Sequence, residues 1–379
     1  MNLEKAKHLW ELPFEGAWVQ ACTFVGNSRQ LAAGNRNGQM YLWELPESPA
    51  TADSPKQDQE KPASLAPTRS LDGHTNAITH IISSADGNTL YSASLDRTIR
   101  IWNPAAPKTG TDEVVMDIDT RKAEAKKLRK DDPLKAPGVK VEVVEATRVI
   151  DDHKDWIKAL ALSHDSSRLV SGDDSGTIIV WDTARWKQLQ QIKVRGWVTA
   201  LAISPDGRQL LVAERIQYYG SRRYRSLTTW DMMTGKQIKD LKADKKDKLT
   251  QLLEKMDIGS VAYSPDGKYL ALGQEGEAGQ SKVLLLDTES GGLIQDLSAH
   301  KSGVNDVRFS PDSQLILSSG RDTVIRAHNV ADGKQVAELG KPRGGQFKDW
   351  FNAIALSPQH QLIATGDMAG RLHVWGFDS

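Results

Sequence analysis

Arginine and tyrosine side chains are concentrated in one short stretch of the chain, residues 214–226, which includes Tyr218, Tyr219, Arg222 and Arg223. Guanidinium groups form forked hydrogen bonds to carboxylates and phosphates, and tyrosine rings stack on flat ligands. The stretch therefore predicts a binding surface. Its residue types suit a protein or peptide partner, and they also suit phosphate or nucleic acid.

Four of the eleven tryptophans share one position in a recurring pattern, four residues before an apolar segment that leads into a turn. These four are Trp18, Trp156, Trp197 and Trp350. Trp, Tyr and Arg are the residue types that dominate binding hot spots in protein interfaces. Each tryptophan either packs beneath a loop of its own repeat or joins the others in an aromatic binding surface, and both interpretations stay open.

Motifs that indicate catalysis do not occur in the sequence. It contains no Gly-rich phosphate loop, no His-Glu-x-x-His, no paired cysteines and no Gly-x-Ser-x-Gly. We therefore predict a protein that is not an enzyme, with no catalytic residues, no cofactor and no bound metal.

The composition limits the partners further. Lysine plus arginine and aspartate plus glutamate both total 49, so the formal net charge is zero and nothing global attracts nucleic acid or an anionic membrane. The single cysteine, Cys22, excludes an internal disulfide. No apolar run is long enough to span a bilayer, and the first residues lack the core of a signal peptide. We expect a cytoplasmic protein without membrane contact.

A repeat organises the tryptophans. Seven segments of alternating apolar residues end at one shared position: Trp43, Trp102, Trp181, Trp230, Leu286, His328 and Trp375. A turn precedes each segment, and its best copies read Ser-Pro-Asp-Gly, at residues 204–207 and 264–267. Proline presets the first turn dihedral, while Asp and Gly tolerate the remaining ones.

Each repeat is thus strand, turn, strand, loop, strand, followed by a short outer strand such as Lys236-Gln237-Ile238. Seven four-stranded units, each burying its faces against its neighbours, predict an all-β fold with a single seven-bladed β-propeller of antiparallel blades. Lys7 to Leu12 has the pattern of an outer strand. We predict that residues of about 5–12 complete blade seven and close the ring, which leaves no unpaired edge there.

The predicted blade limits follow the repeat. They are about 15–75 with an insert at 46–67, about 76–153 with an insert at 104–147, about 154–195, 196–243, 258–299 and 302–340, and about 350–376 plus 5–12. The insert at 46–67 has a loop composition, and residues 121–130 of the second insert have a helical one. Propeller topology places both inserts on the bottom face. Either insert could carry a partner instead of the tryptophans.

The repeats resemble WD repeats: Trp181-Asp182 and Trp230-Asp231 keep the Trp-Asp pair, and Gly73-His74 keeps the Gly-His pair. The resemblance implies a hydrogen-bonded set of His, Ser, Asp and Trp that stiffens a blade. Blade two contains the whole set: His74, Ser92, Asp96 and Trp102. Blade six contains His300, Ser318 and Asp322, and His328 stands in the tryptophan position. Blade three contains His153, Ser171 and Trp181, and Ser175 stands in the aspartate position. These histidines are expected to be structural.

The resemblance also implies a function. WD-repeat propellers commonly bind peptides or proteins on the top face around the central channel, where the four tryptophans are expected. We therefore predict a non-catalytic interaction scaffold. Two alternatives are a propeller hydrolase or lactonase with a metal in the channel, for which Asp257 and Asn305 are the obvious candidates, and phosphate or nucleic-acid binding through residues 214–226.

Overall fold

The computed structural model describes residues 1–14, 17–47, 62–114, 138–217, 223–241, 248–276, 281–342 and 350–378. Seven sheets follow one another around a ring, and all but one of them consist of four antiparallel strands. The predicted all-β, seven-bladed propeller is confirmed.

The sheets of the first four blades are formed in chain order from the innermost strand outward, apart from two added strands in blade one. Blade one contains β2 (Val19–Phe24), β3 (Gln30–Asn35), β4 (Met40–Glu44) and β5 (Arg69–Asp72), extended by β10 (Val139–Glu145) and β9 (Gly110–Val114). Blade two contains β6 (Ile78–Ser83), β7 (Leu90–Ser94), β8 (Ile99–Trp102) and β11 (Arg148–Ile150). Blade three contains β12 (Ile157–Leu162), β13 (Arg168–Asp173), β14 (Thr177–Asp182) and β15 (Lys187–Lys193). Blade four contains β16 (Trp197–Ile203), β17 (Gln209–Gln217), β18 (Arg223–Asp231) and β19 (Gln237–Asp240).

The remaining blades complete the ring. Blade five contains β20 (Asp257–Tyr263), β21 (Tyr269–Glu275), β22 (Ser281–Asp287) and β23 (Leu293–His300). Blade six contains β24 (Val304–Phe309), β25 (Leu315–Gly320), β26 (Val324–Asn329) and β27 (Gln335–Gly340). Blade seven contains β28 (Phe351–Ser357), β29 (Leu362–Asp367), β30 (Arg371–Asp378) and β1 (Asn2–Pro13), with a 3-10 turn at Pro358–His360. One helix, α1 (Lys248–Leu253), precedes blade five and buries Leu249 and Leu253.

The turn motif forms for the reasons its residues suggest. In blade four, the Ser204 hydroxyl donates to Asp206, and the backbone N–H of Gln209 donates back to Ser204 Oγ at 2.9 Å. Gly207 has φ of +71°, a left-handed conformation that glycine adopts without steric cost. These turns define the bottom face of the ring; the loops at the opposite ends of the inner strands define the top face.

The chain closes the ring with its first strand, as predicted. Strand β1 pairs antiparallel with β30, and Glu11 lies opposite His373. Around the channel, Asn352 Nδ2 of blade seven donates to the Val19 carbonyl of blade one at 2.8 Å. Equivalent bonds join other neighbours, such as Thr199 Oγ1 of blade four to the Ile258 carbonyl of blade five at 2.7 Å.

Blade one differs from the prediction of four strands. Part of the second insert forms β10, which pairs parallel with the outer strand β5, and β9, which pairs antiparallel with β10. The insert therefore extends the sheet of blade one, although its sequence position had placed it in blade two. The physical reason is that β5 offers an unpaired edge, and the Val-rich β10 covers it while burying Val141 and Val144. Residues 121–130, with their helical composition, lie outside the described residues.

The first insert also differs from a plain bottom-face loop at its described end. Ala63 exchanges backbone hydrogen bonds with strand β1: its N–H donates to the Leu9 carbonyl at 2.8 Å, and its carbonyl accepts from Glu11 at 2.9 Å. The end of the insert is thus held along the outer edge of blade seven.

Candidate binding surface at the channel mouth

The blade-stiffening set is assembled in blade two. His74 Nδ1 lies 2.7 Å from Asp96 Oδ2, His74 Nε2 lies 2.7 Å from Ser92 Oγ, and the Trp102 indole N–H donates to the same hydroxyl at 2.9 Å. Burial lowers the pKa of His74. Burial alone would raise the pKa of Asp96, but the hydrogen bonds from His74 and Thr98 outweigh it and hold that pKa well below its usual range. These side chains hold the strands of the blade together.

Blade three completes the set with an aspartate, although the sequence pattern predicts Ser175 in the aspartate position. His153 Nδ1 lies 2.8 Å from Asp173 Oδ2, so Asp173 and not Ser175 fills the aspartate role. The Ser175 hydroxyl instead donates to the other oxygen of Asp173 at 2.7 Å. An aspartate two residues earlier in the chain reaches the same histidine because it ends the strand beside it. Ser171 accepts from Trp181 at 3.1 Å, as in blade two.

Blade six contains the His, Ser and Asp of the set, and His328 stands in the position of the tryptophan. His300 lies 2.7 Å from Asp322 and 2.9 Å from Ser318. The Arg326 guanidinium donates to Asp322 at 2.7 Å. Burial, with the neighbouring His300 and Arg326, lowers the pKa of His328 to about 4, so the side chain in the tryptophan position is a neutral imidazole at neutral pH.

Trp18, Trp156, Trp197 and Trp350, the mouth tryptophans, lie at the top-face ends of the innermost strands, around the channel mouth. They differ in exposure from the buried tryptophans that end the third strands, such as Trp43 and Trp102. Trp156 is 49% exposed, and Trp18 and Trp197 are each 37% exposed, while Trp350 is partly buried. A large apolar side chain with this exposure gains little from the folded core, so core packing does not account for the three exposed tryptophans at this repeat position.

Each mouth tryptophan has a cation over its ring. The Arg36 guanidinium carbon lies 4.3 Å from the centroid of Trp18, and that of Arg321 lies 4.6 Å from Trp350. Such contacts are electrostatic attractions between the cation and the electron-rich ring face, and they orient both groups.

The same arrangement recurs in blades three and four, where Lys158 Nζ lies 5.6 Å from Trp156 and the Arg215 guanidinium carbon 5.5 Å from Trp197. Sequence reasoning missed Arg36, Lys158 and Arg321. Arg36 and Arg321 each directly follow the second strand of their own blade, whereas Lys158 lies two residues after Trp156 on the first strand. The sequence signal was therefore a basic residue at either of these two positions.

A depression of about 360 Å³ opens on the top face and is lined by residues of blades three, four, five and six. Its lining includes Trp156, Trp197, Lys158, Asp174 and Arg215. Burial raises the pKa of Asp174 to about 6, although Lys158 opposes that shift.

The two residues named for a channel metal have other contacts. Asp257 forms ion pairs with Arg225 and with Arg215, the latter at 3.6 Å. Asn305 Nδ2 donates to the Phe351 carbonyl at 2.9 Å, which links blade six to blade seven. Both residues therefore act in contacts between neighbouring elements.

The Arg/Tyr stretch is only partly described. Tyr218, Tyr219 and Arg222 lie outside the described residues, and the side chain of Arg223 does as well. The flanking strands β17 and β18 are long, and their pairing continues to Gln217 opposite Arg223. No helix within the described ranges is long and apolar enough to cross a membrane.

Comparisons with known proteins agree with the geometry. A family model described as WD domain, G-beta repeat, matches residues 65–103, 145–182 and 291–329. The chain is 29% identical over 217 residues to a p21-activated protein kinase-interacting protein 1-like of Gallus gallus, covering 56% of this chain and 50% of that protein. It is 26% identical over 223 residues to a periodic tryptophan protein 2 homolog of Dictyostelium discoideum, covering 58% of this chain and 22% of that protein.

A third similarity covers more of both proteins. The chain is 22% identical over 335 residues to the small ribosomal subunit protein RACK1 of Neurospora crassa, covering 83% of this chain and 94% of that protein. The chain spans half or less of the length of the first two relatives and nearly all of the third.

Proposed function

Because the chain is a seven-bladed propeller of the WD-repeat family, we propose that it is a non-catalytic cytoplasmic scaffold that binds a protein or peptide segment at the top-face channel mouth. The observation that carries this proposal is the pairing of exposed tryptophans with cations around one depression. Trp and Arg at the centre of a patch are typical of binding hot spots.

The chemistry of the mouth favours a polypeptide segment. Exposed indole faces at Trp156 and Trp197 suit an apolar or flat side chain, and Lys158 suits a carboxylate. Asp174 and Glu275 bring negative charge into the same depression, which disfavours a nucleic acid because its phosphates need continuous positive charge. The name of the Gallus gallus relative describes a protein that interacts with a protein kinase, and this supports a protein partner for the chain.

Site-specific photo-crosslinking tests the proposal. A photoreactive phenylalanine analogue placed at Trp156 is expected to capture a discrete protein partner in cells. The same analogue at Ile238, an exposed apolar residue on the outer strand of blade four, is the matched control and is expected to capture none.

The captured protein is then identified and purified. Direct binding of that protein to the wild-type chain, weakened in a folded Trp156→Ala/Trp197→Ala variant, would support the top face. Equal capture at both positions, or binding that the variant retains, would contradict the proposal and favour the inserts at 46–67 and 104–147.

A further inference from the structure

Three side chains with metal-ligating atoms meet where the ring closes. His8 and Glu11 belong to the first strand, and His373 belongs to the last one. Glu11 lies directly opposite His373 in the pairing, and an irregularity between His8 and Trp10 shifts the register. Side chains three apart on a regular strand point to opposite faces, so this bulge is what brings His8 to the same face as Glu11.

The distances suit a tetrahedral metal ion. His8 Nε2 lies 3.3 Å from His373 Nδ1, and Glu11 Oε2 lies 4.0 Å from that same nitrogen. One ligating atom from each of the three side chains lies within 4.8 Å of the others. Two nitrogens bound to one tetrahedral zinc ion at about 2.0–2.1 Å each are separated by about 3.3–3.4 Å.

Neighbouring charged groups orient two of the three side chains for metal binding. Asp367 Oδ2 lies 2.9 Å from His373 Nε2, so that nitrogen carries the proton and Nδ1 keeps its lone pair facing His8. A carboxylate that orients a histidine from behind is the usual second partner in histidine metal sites. Arg371 pairs with the other oxygen of Glu11 and fixes that carboxylate.

Both imidazoles are partly shielded and open to one cavity. A cavity of about 600 Å³ is lined by His8, Glu11 and His373, together with Thr323 and Phe351. It leaves room for a water molecule as a fourth ligand and gives an ion a path of entry.

We propose that His8, Glu11 and His373 form a site for one divalent transition-metal ion, with zinc the preferred occupant. Two imidazoles, one carboxylate and an open fourth position are a ligand set that zinc commonly takes. The ion would join the first strand to the last one and so fasten the ring at its closure. This inference is independent of the function proposed for the channel mouth.

Metal titration of the full-length chain tests the site. Protein stripped with a chelator is titrated with zinc chloride by calorimetry and with cobalt(II) by visible absorption. We expect one equivalent of zinc, intense visible cobalt bands of the kind given by four-coordinate ions, and a higher melting temperature with zinc, because a ligand that binds only the folded state stabilises it.

Matched variants locate the ion. His8→Gln and Glu11→Gln are expected to weaken zinc binding more than tenfold and to abolish the cobalt bands. His164→Gln, in a bottom-face turn of blade three, is the control and is expected to bind as the wild type does. Asp367→Asn keeps all three ligands and is expected to weaken zinc binding by about 10–100-fold through the orientation of His373.

Each metal-free variant is first compared with the wild-type chain by circular dichroism, so that a loss of folding is distinguished from a loss of metal binding. A wild-type chain that takes up no zinc would overturn the proposal and leave the His8–His373 contact as a hydrogen bond between imidazoles. Folded His8→Gln and Glu11→Gln variants that both retain full affinity would overturn it too, because the ion would then be bound elsewhere.

Discussion

Tryptophan serves two regions of this molecule in opposite ways. At the ends of the third strands, Trp43 and Trp102 have no exposed surface, and the Trp102 indole N–H donates to Ser92. At the channel mouth, Trp156 and Trp197 expose 49% and 37% of their surface and are paired with cations. The first group fills the space between blades; the second presents ring faces to solvent.

The difference shows what burial and exposure each provide. A fully buried tryptophan contributes a large apolar area, to which Trp102 adds its hydrogen bond to Ser92, so its value is measured in folding free energy. An exposed tryptophan beside a cation contributes little to folding and keeps its area available for a partner. Substitutions in the two regions should therefore separate stability from binding.

The largest effect is expected at a buried tryptophan. Trp102→Ala should reduce the free energy of unfolding by about 3–5 kcal/mol, because it leaves a cavity between blades one and two. Trp102→Phe keeps most of the ring area and should cost less. Urea denaturation of the three proteins measures this, and a Trp102→Ala loss under about 1 kcal/mol would show that the blade repacks around the gap.

The second-largest loss of stability is expected at the serine of the blade-stiffening set. Ser92 bonds both His74 and Trp102, whereas Ser318 of blade six bonds His300, and His328 stands where the indole would be. Ser92→Ala should reduce stability by about 1–3 kcal/mol, since it leaves two buried polar groups without partners. Ser318→Ala should cost less. Equal losses in parallel denaturation curves would mean that the indole hydrogen bond contributes nothing.

Blade six should make stability depend on pH through His328. Its folded pKa of about 4 lies below the ordinary value of 6.5, so the unfolded chain binds more protons between these values. The stability from this neutral histidine is complete above about pH 6.5 and is lost as the pH falls towards 4.

Replacing the imidazole tests this dependence. His328→Phe should lower the number of protons taken up on unfolding near pH 5 by about one. Unfolding free energies measured across this range give that number from their slope. A slope identical to that of the wild-type chain would place the acid sensitivity in other histidines, such as His74 or His80, whose pKa values are also lowered by burial.

The smallest effect on stability is expected at the mouth. Trp156→Ala should change the free energy of unfolding by less than about 1 kcal/mol, since half of the side chain is already exposed. Ile238→Ala, an exposed apolar residue away from the channel, is the control. A Trp156→Ala loss comparable to that of Trp102→Ala would show that the mouth tryptophans are structural.

The sequence predicted the features that repeat. Seven copies of one strand and turn pattern placed the blades, the closing strand and the mouth position, because each signal recurs at a fixed spacing. Three features were not predicted from the sequence, because they occur once or depend on three-dimensional proximity. Strand β10 pairs with a blade other than that of its neighbours in the chain, Asp173 reaches His153 from a shifted position, and Glu11 meets His373 only when the two ends of the chain pair.

The mouth itself was predicted incompletely for the same reason. The tryptophan positions could be aligned from one repeat to the next, but Lys158 and Arg321 occupy different positions in their repeats. Arg321 belongs to blade six and lies over Trp350 of blade seven, a contact between neighbours that no single repeat contains.

The affinity of the chain for the protein crosslinked at position 156 tests the central claim most directly. Calorimetry with the wild-type chain, Trp156→Ala/Trp197→Ala and Ile238→Ala should show at least about a thirtyfold loss for the double variant, corresponding to about 2 kcal/mol, and no change for the control. Unfolding midpoints near that of the wild-type chain would confirm that folding is intact. A folded double variant that binds with wild-type affinity would contradict the top-face mouth as the binding surface.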